Sequence, residues 1–557
     1  MQSVTYSESD SQSHIVRPKS IAQNGNFGKD KKSFLEPNLT LSGSGLKVRD
    51  IDLFLNNPQM SIRCDEQSMK NVERARNFLQ EEISKRIIYG VNTGFGPMAS
   101  HIISPNELTN LQYNLIRSHA VGMGKPIGKR YVLAAMIIRL NTLLRGYSGV
   151  SKELIDHFQT LINHRIIPIV PEHGAVGTSG DLVQLAHIAL ALIGEGNVVY
   201  KNKRYPTQQV FKDLGIKPYQ LKVKEGLALI NGTSAMSGIA ALNCLHAHRL
   251  LSLAIRTGAF SLELVHGHKD AIAEKLQEVR PHPGQIAIAK KLRETLDSSR
   301  MLSDRASLEP VQIPKDVREI SEVVQEIYSF RCIPQILGPV YDTLRKTQGE
   351  VQTEINSTSD NPIIDVDGQT FLHGGNFHGD YISLAMDQLK ITMAKMTMLS
   401  ERRINFFFHK NLNNFFPPFL NLDTPGLTLG LQGLQFVATS TTSQSQTLSF
   451  PQYVHSIPTN GDNQDVVSMG VESALFAAKV IENAYIVLAI EVIALAQATD
   501  YRNTYDKLSN SSKHLYDGVR QVFPKITNDR AITDELPNVV TFLKSNQNLN
   551  LYLDLSE

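Results

Sequence analysis

The chain has 557 residues and a hydrophobic content of 41%, enough for a large core in two or three domains or in one helical assembly. Lys plus Arg number 56 against 54 Asp plus Glu; the formal charge of +2 offers no broad field for nucleic acid or an anionic membrane, and small neutral partners are favoured. Cys64, Cys244 and Cys332 are far apart, which fits neither a disulfide framework nor a clustered metal site and points to a reducing cytosol.

Residues 1–35 scatter charge among few adjacent apolar residues, so they read as a polar disordered tail with no secretory signal, and a cytoplasmic location is expected. Residues 36–232 read as a smaller mixed N-terminal domain, with helices predicted over 106–122, 128–146 and 181–194. Helical periodicity dominates 233–505, and 506–557 read as a C-terminal helical segment. Ile382, Met386, Leu389, Met393 and Met396 alternate spacings of four and three, a seam for another long helix, and Pro417 and Pro418 follow that helix. Residues 466–499 hold a single Gly and no Pro and predict a second very long helix, apolar nearly all round at Ala484 to Ala496 and therefore buried. Its most apolar stretch, 484–498, carries Glu491 and is too short to span a bilayer. The fold class expected is mainly α, a long-helix bundle that completes its core by oligomerising.

The chemistry centres on Gly177-Thr178-Ser179-Gly180-Asp181-Leu182. If the Gly180 nitrogen attacks the Thr178 carbonyl, a five-membered ring closes, and loss of water from Ser179 leaves an exposed carbon–carbon double bond. Gly in third place permits the cramped backbone that closure needs. The plainer reading is a helix N-cap in which Ser179 or Asp181 satisfies free N–H groups. Tyr89 lies in Tyr-Gly-Val-Asn-Thr-Gly-Phe-Gly, a glycine-rich loop suited to a lid; Tyr89 is either a base within it or the anchor of a turn. Asn231 in Leu-Ile-Asn-Gly-Thr is either a helix cap or a polar group held at a site.

Gln325, Tyr328 and Arg331 fall at i, i+3 and i+6, which puts all three on one face if the segment is helical. Arg331 suits two-point contact with a carboxylate, although a structural ion pair is the commoner use of Arg. Ser359-Asp-Asn361-Pro reads as a turn, and Gly374-Gly-Asn-Phe377-His as a glycine-rich approach to a helix. His373, His378 and His409 lack metal-ligand spacing, and no glycine motif of a nucleotide site opens a helix, so neither metal nor nucleotide is expected.

In order along residues 40 to 500, these segments together with Asn463-Gln464-Asp-Val-Val-Ser-Met resemble the aromatic amino acid ammonia-lyases and aminomutases. The resemblance implies the fold of the histidine and phenylalanine ammonia-lyases, a homotetramer with each active site built from three subunits, and a 4-methylidene-imidazol-5-one formed autocatalytically from Thr178, Ser179 and Gly180. The usual triplet is Ala-Ser-Gly; Thr178 occurs in some aminomutases of the family. It further implies that Tyr89 takes the β-proton, that Ser179 provides the carbon to which the substrate amine adds, and that Asn231, Gln325 and Tyr328 surround the prosthetic group and substrate. Arg331 and Asn361 are implied for the substrate carboxylate, and Phe377 packs near the site.

Substrate choice in the family lies partly at Ser118-His119. A neutral His119 can hydrogen-bond a phenol, whereas phenylalanine would leave it unpaired at a cost of roughly 1–3 kcal/mol. Histidine ammonia-lyases carry Glu where this chain has Gln464, and an imidazole substrate prefers a carboxylate partner. The sequence therefore reads as a tyrosine ammonia-lyase producing trans-4-coumarate, closest to bacterial enzymes of that kind. The alternatives are a histidine ammonia-lyase producing urocanate, a tyrosine 2,3-aminomutase, and a helical scaffold without catalysis.

Overall fold

The computed structural model describes residues 38–305, 316–317 and 324–554; the polar tail expected over 1–35 lies outside the described residues. Eight helices carry the argument: α1 (Leu108–His119), α2 (Lys129–Leu143), α3 (Leu182–Leu192), α4 (Ser234–Leu264), α5 (Ile333–Glu354), α6 (Asp380–Phe408), α7 (Gln432–Leu448) and α8 (Gly470–Arg502).

The long helices form because their apolar residues repeat at helical spacing without an interrupting proline, and they last because that apolar surface is buried. All five residues of the predicted seam on α6 are at most 1% exposed, and every residue of α8 from Ala484 to Ala498 except the partly buried Ile486 is buried. Helices α6 and α8 pack along each other, α4 lies against α8, and α5 and α7 flank them. Small alanines on α8 let neighbouring backbones approach, while Ile and Leu between them supply most of the area removed from water. Glu491, the charged residue of this stretch, meets fully buried Arg403 of α6, with Nε to Oε1 at 2.5 Å and Nη2 to Oε2 at 3.2 Å, and also accepts from Ser400. Breaking such a pair would leave a buried charge uncompensated, at about 3–5 kcal/mol.

The length argument from 484–498 does not survive. α4 and α8 are both long and apolar enough to cross a membrane by length and composition, yet 78% and 89% of their most apolar windows are buried inside the protein. Burial, not length, identifies them as core helices.

The N-terminal part is mixed as expected. Asn38–Leu41 pairs in parallel with Ser61–Cys64, Met123–Pro126 runs antiparallel to Pro171–His173, and Asn197–Tyr200 lies between Ile167–Pro168 and Lys203–Pro206. One apolar core nevertheless joins residues from Leu41 to Leu553. Between the two turns read at 359–362 and 374–378 stands a hairpin, Ile363–Asp365 against Thr370–Leu372. Its Ile364 and Phe371 form a separate small core with Ala75, Phe78, Leu79, Ile88 and Val91.

Candidate active site

A cavity of about 1060 Å³ opens where several of these elements meet, and it gathers Tyr89, His119, Thr178, Ser179, Gly180, Asn231, Asn361, Phe377 and Gln464 from across the chain. Four helices begin there. Gly180 precedes Asp181, the N-cap of α3; Asn231 stands three residues before α4, Phe377 three before α6, and Ser468 two before α8. A Cβ on Gly379 would lie 2.4 Å from Met236 and 2.9 Å from Ser468, so the first turns of α4, α6 and α8 touch at one point. Each N-terminus carries about half a positive charge, and their convergence favours negative charge in the cavity.

The Thr178–Gly180 segment is pressed against the turn before α4. Gly180 has φ +73° and forms a parallel bridge with Gly232, the Asp181 N–H donates to the Gly232 carbonyl at 2.7 Å, and the Asn231 amide donates to the Ser179 carbonyl at 3.2 Å. Asn231 thus serves the site rather than a helix cap, and its Oδ1 is buried without a partner. From the other side Gln464 Nε2 donates to Ser179 Oγ at 3.2 Å, and the Met469 N–H donates to the Val176 carbonyl at 3.1 Å. A cradle that holds these three residues at a left-handed glycine, with a buried amide oxygen left unpaired beside them, fits an internally cyclised ring better than it fits an ordinary helix start.

Asp181 does not cap its own helix. Its Oδ2 accepts the Met236 N–H of α4 at 2.8 Å while Oδ1 has no partner; burial pushes the carboxyl up to about 7 against the pull of the Met236 and Ala235 N–H groups. Behind Asn231, fully buried Arg139 donates to the carbonyls of Ala228 and Asn231, the latter at 2.7 Å, and so fixes the turn that presents the amide; burial lowers its pKa to about 10.

The glycine-rich lid is more tightly tied than its composition suggests. Asn92 bonds to the Ile88 N–H at 2.7 Å and to the Ile83 and Arg86 carbonyls, and the Gly90 N–H donates to Thr93 Oγ1 at 3.0 Å. The Tyr89 hydroxyl accepts the Gly96 N–H at 3.0 Å, which fixes the position of the phenol oxygen. At the other end, His119 Nδ1 lies 2.8 Å from the Leu115 carbonyl. A carbonyl only accepts, so Nδ1 carries a proton, and in the tautomer with hydrogen on Nδ1 alone Nε2 is an acceptor. Gln464 is engaged at both ends of its amide, since Oε1 accepts from Thr459 Oγ1 at 3.0 Å. Asn361 Oδ1 accepts the Gly374 N–H at 2.8 Å, which leaves its NH2 as the group for a ligand.

Three expected residues are not in this cavity. Gln325, Tyr328 and Arg331 do not share a helical face, because the helix spans only Tyr328–Arg331 and the extended Ile327 (ψ 163°) separates it from Gln325. Tyr328 is 67% exposed, with the Arg331 guanidinium 4.5 Å from its ring centre. The sequence reading overlooked Thr459, whose hydroxyl holds Gln464, and it placed Gly96 in the glycine-rich loop without the contact that the fold reveals, its N–H holding the Tyr89 hydroxyl.

The long-helix architecture and a cavity built around a Thr-Ser-Gly turn define a lyase site for aromatic amino acids. The family model for aromatic amino acid lyases matches residues 46–521, and the chain belongs to that family. A histidine ammonia-lyase from Geobacillus sp. (strain WCH70) is 37% identical over 91% of this chain and 96% of its own. Among solved structures, the tyrosine aminomutase from Streptomyces globisporus superposes with a TM-score of 0.86 at 34% identity, covering 91% of this chain and 96% of that one. The histidine ammonia-lyase from Trypanosoma cruzi gives 0.82 at 31% identity, covering 91% and 93%. The protein is an ammonia-lyase of mainly α architecture, as its sequence leads one to expect, whereas tyrosine as the substrate does not follow from these relatives.

Proposed function

We propose that the enzyme eliminates ammonia from L-tyrosine to give trans-4-coumarate. The observation that carries this reading is the pairing of His119, which presents an acceptor nitrogen, with a neutral Gln464 whose amide is already committed to Ser179 and Thr459. A phenol O–H can donate to His119 Nε2, while an imidazole substrate would find no carboxylate at Gln464. The relatives weigh the other way: those compared by sequence are named histidine ammonia-lyases, which supports the histidine reading better than the tyrosine one. Thr178 and the structural likeness to a tyrosine aminomutase support a third outcome, β-tyrosine.

The prosthetic methylidene-imidazolone, where formed from Thr178, Ser179 and Gly180, supplies an electrophile that turns the substrate amine into a better leaving group. The protein's own residues do the rest. Tyr89 accepts the β-proton at its hydroxyl oxygen, which the Gly96 N–H holds in place. The amide of Asn361 binds the substrate carboxylate, and the Ser179-facing amides of Asn231 and Gln464 fix the orientation of the triplet. Helix N-termini favour the negative charge that develops as the β-proton leaves. Gln325 and Tyr328, exposed in a single copy, and the partly buried Arg331 complete the cavity of a neighbouring copy in a homotetramer.

Incubation with tyrosine, histidine and phenylalanine separately, with products resolved by chromatography, tests the reading. Coumarate is expected to form fastest; faster urocanate would establish histidine instead, and β-tyrosine would establish the mutase. Ser179→Ala is expected to abolish turnover and leave assembly intact, and intact mass of the parent should show the loss of two waters.

A further inference from the structure

The backbone of Tyr89 is held from outside its loop by a side chain with no role in the scheme above. His373 follows the hairpin strand Thr370–Leu372, lines the cavity, and accepts the Tyr89 N–H at its Nε2 at 3.3 Å. An accepting ring nitrogen bears no proton, so this contact uses the tautomer with hydrogen on Nδ1.

The hairpin that carries His373 is built to hold this loop. Ile88 and Val91, which bracket Tyr89, are buried in the same small core as Ile364 and Phe371 of the hairpin. Phe371 stacks on Phe78 with ring centres 5.3 Å apart, and Arg86 donates to the Gln369 carbonyl at the hairpin turn at 2.9 Å. One residue beyond His373, the Gly374 N–H donates to Asn361. The hairpin therefore fixes two parts of the cavity relative to each other: the loop that carries Tyr89 and the amide of Asn361.

We propose that His373 is a positioning residue for proton transfer: by accepting the Tyr89 N–H it sets the backbone of the base, and so the distance between the phenol oxygen and the substrate β-carbon. The proposal rests on the reading of Tyr89 as that base. Geometry of this kind matters to rate far more than to binding, because a displacement of about 1 Å at a proton-transfer partner can reduce turnover about a hundredfold.

The test compares His373→Leu, which removes the acceptor, with His373→Gln, whose amide oxygen reaches about as far as Nε2. His373→Leu is expected to lower kcat about ten- to hundredfold with KM changed less than about threefold. The isotope effect for substrate deuterated at the β-carbon should rise as proton removal becomes slower, and His373→Gln should recover most of the rate. Intact mass should show the two-water loss in every variant. Should His373→Leu fail to assemble, His373→Asn, whose amide falls short of Tyr89, takes its place. Unchanged turnover in the loss variant, or a fall with the isotope effect unmoved and no recovery in His373→Gln, overturns the proposal. Tyr89→Phe separates the two ideas: if it keeps turnover, the reading of Tyr89 fails and the proposal with it; if it is inactive while His373→Leu is not, only the role of His373 fails.

Discussion

Gly180 and Gly232 lie so close that a Cβ on Gly180 would stand 2.1 Å from the Gly232 carbonyl oxygen, and Gly180 holds a φ of +73° that other residues seldom adopt. Steric room and backbone angle thus both demand glycine at the position whose nitrogen would attack Thr178 in the proposed cyclisation. Gly180→Ala is expected to leave the triplet unmodified, so its intact mass should lack the loss of two waters, and turnover should be abolished. Strain of this kind is worth about 1–3 kcal/mol, so a soluble but less stable protein is expected. A fully processed and active Gly180→Ala would show that the contact does not govern ring closure.

The committed amide of Gln464 yields a prediction about substrate. Glu at this position would keep an oxygen for Thr459, lose the N–H that reaches Ser179, and gain a negative charge within the cavity. Gln464→Glu should shift the ratio of kcat/KM for histidine over tyrosine upward by about tenfold or more. Competition assays with both amino acids present measure this ratio directly, and an unchanged ratio would remove Gln464 from the argument for tyrosine.

His119 makes the complementary prediction. Its Nδ1 is satisfied by Leu115, so the cost of an apolar ring falls on the unpaired Nε2. His119→Phe should raise the preference for phenylalanine over tyrosine by about ten- to a hundredfold, the equivalent of 1–3 kcal/mol. Parallel measurement of cinnamate and coumarate formation checks it.

The long helices were legible in the sequence because period and burial coincide: the seam from Ile382 to Met396 and the apolar run of α8 are where spacing says they are. The glycine-rich motifs likewise mark loops that reach the cavity. The hairpin at 363–372 was hidden because each strand has three residues, too few to show alternation. Helical spacing misled at Gln325, where Ile327 ends the pattern before Tyr328. The role of Glu491 depends on Arg403, and that of His373 on a backbone N–H 284 residues earlier, relationships that composition and periodicity do not encode. His373 drew attention only as a possible metal ligand, since a histidine's partner cannot be read from its neighbours in sequence.

The core also contains a pH-sensitive contact. His246 of α4 lies with Nδ1 3.2 Å from the Tyr485 hydroxyl of α8, and burial lowers its pKa from 6.5 to about 4, with Glu482 pulling the other way. As pH falls below 6.5 the unfolded chain takes up this proton while the folded one does not. The contribution is therefore intact above 6.5 and lost progressively toward 4, by about 2 kcal/mol at pH 5. His246→Gln should unfold at a temperature that drops less between pH 7.5 and pH 5 than the parent's does. Thermal melts at the two pH values decide it, and an equal drop in both proteins would assign the acid sensitivity to other groups.

A single copy leaves Gln325, Tyr328 and Arg331 outside its own cavity. Tyr89 lines the cavity, whereas the exposed Tyr328 and the partly buried Arg331 lie outside it on a short helix of the same chain. If the site combines Tyr89 of one copy with Arg331 of another, two inactive variants should repair each other. Tyr89→Phe and Arg331→Ala are each expected to lose at least about a hundredfold in turnover, whereas coexpression in equal amounts should restore about a quarter of the parent's sites, the fraction in which both contributing copies are intact. Mixing the separately purified variants without exchange of subunits should restore nothing. If each site were built from one chain, every site in the hybrid would carry one defect, and coexpression would remain as inactive as either parent variant.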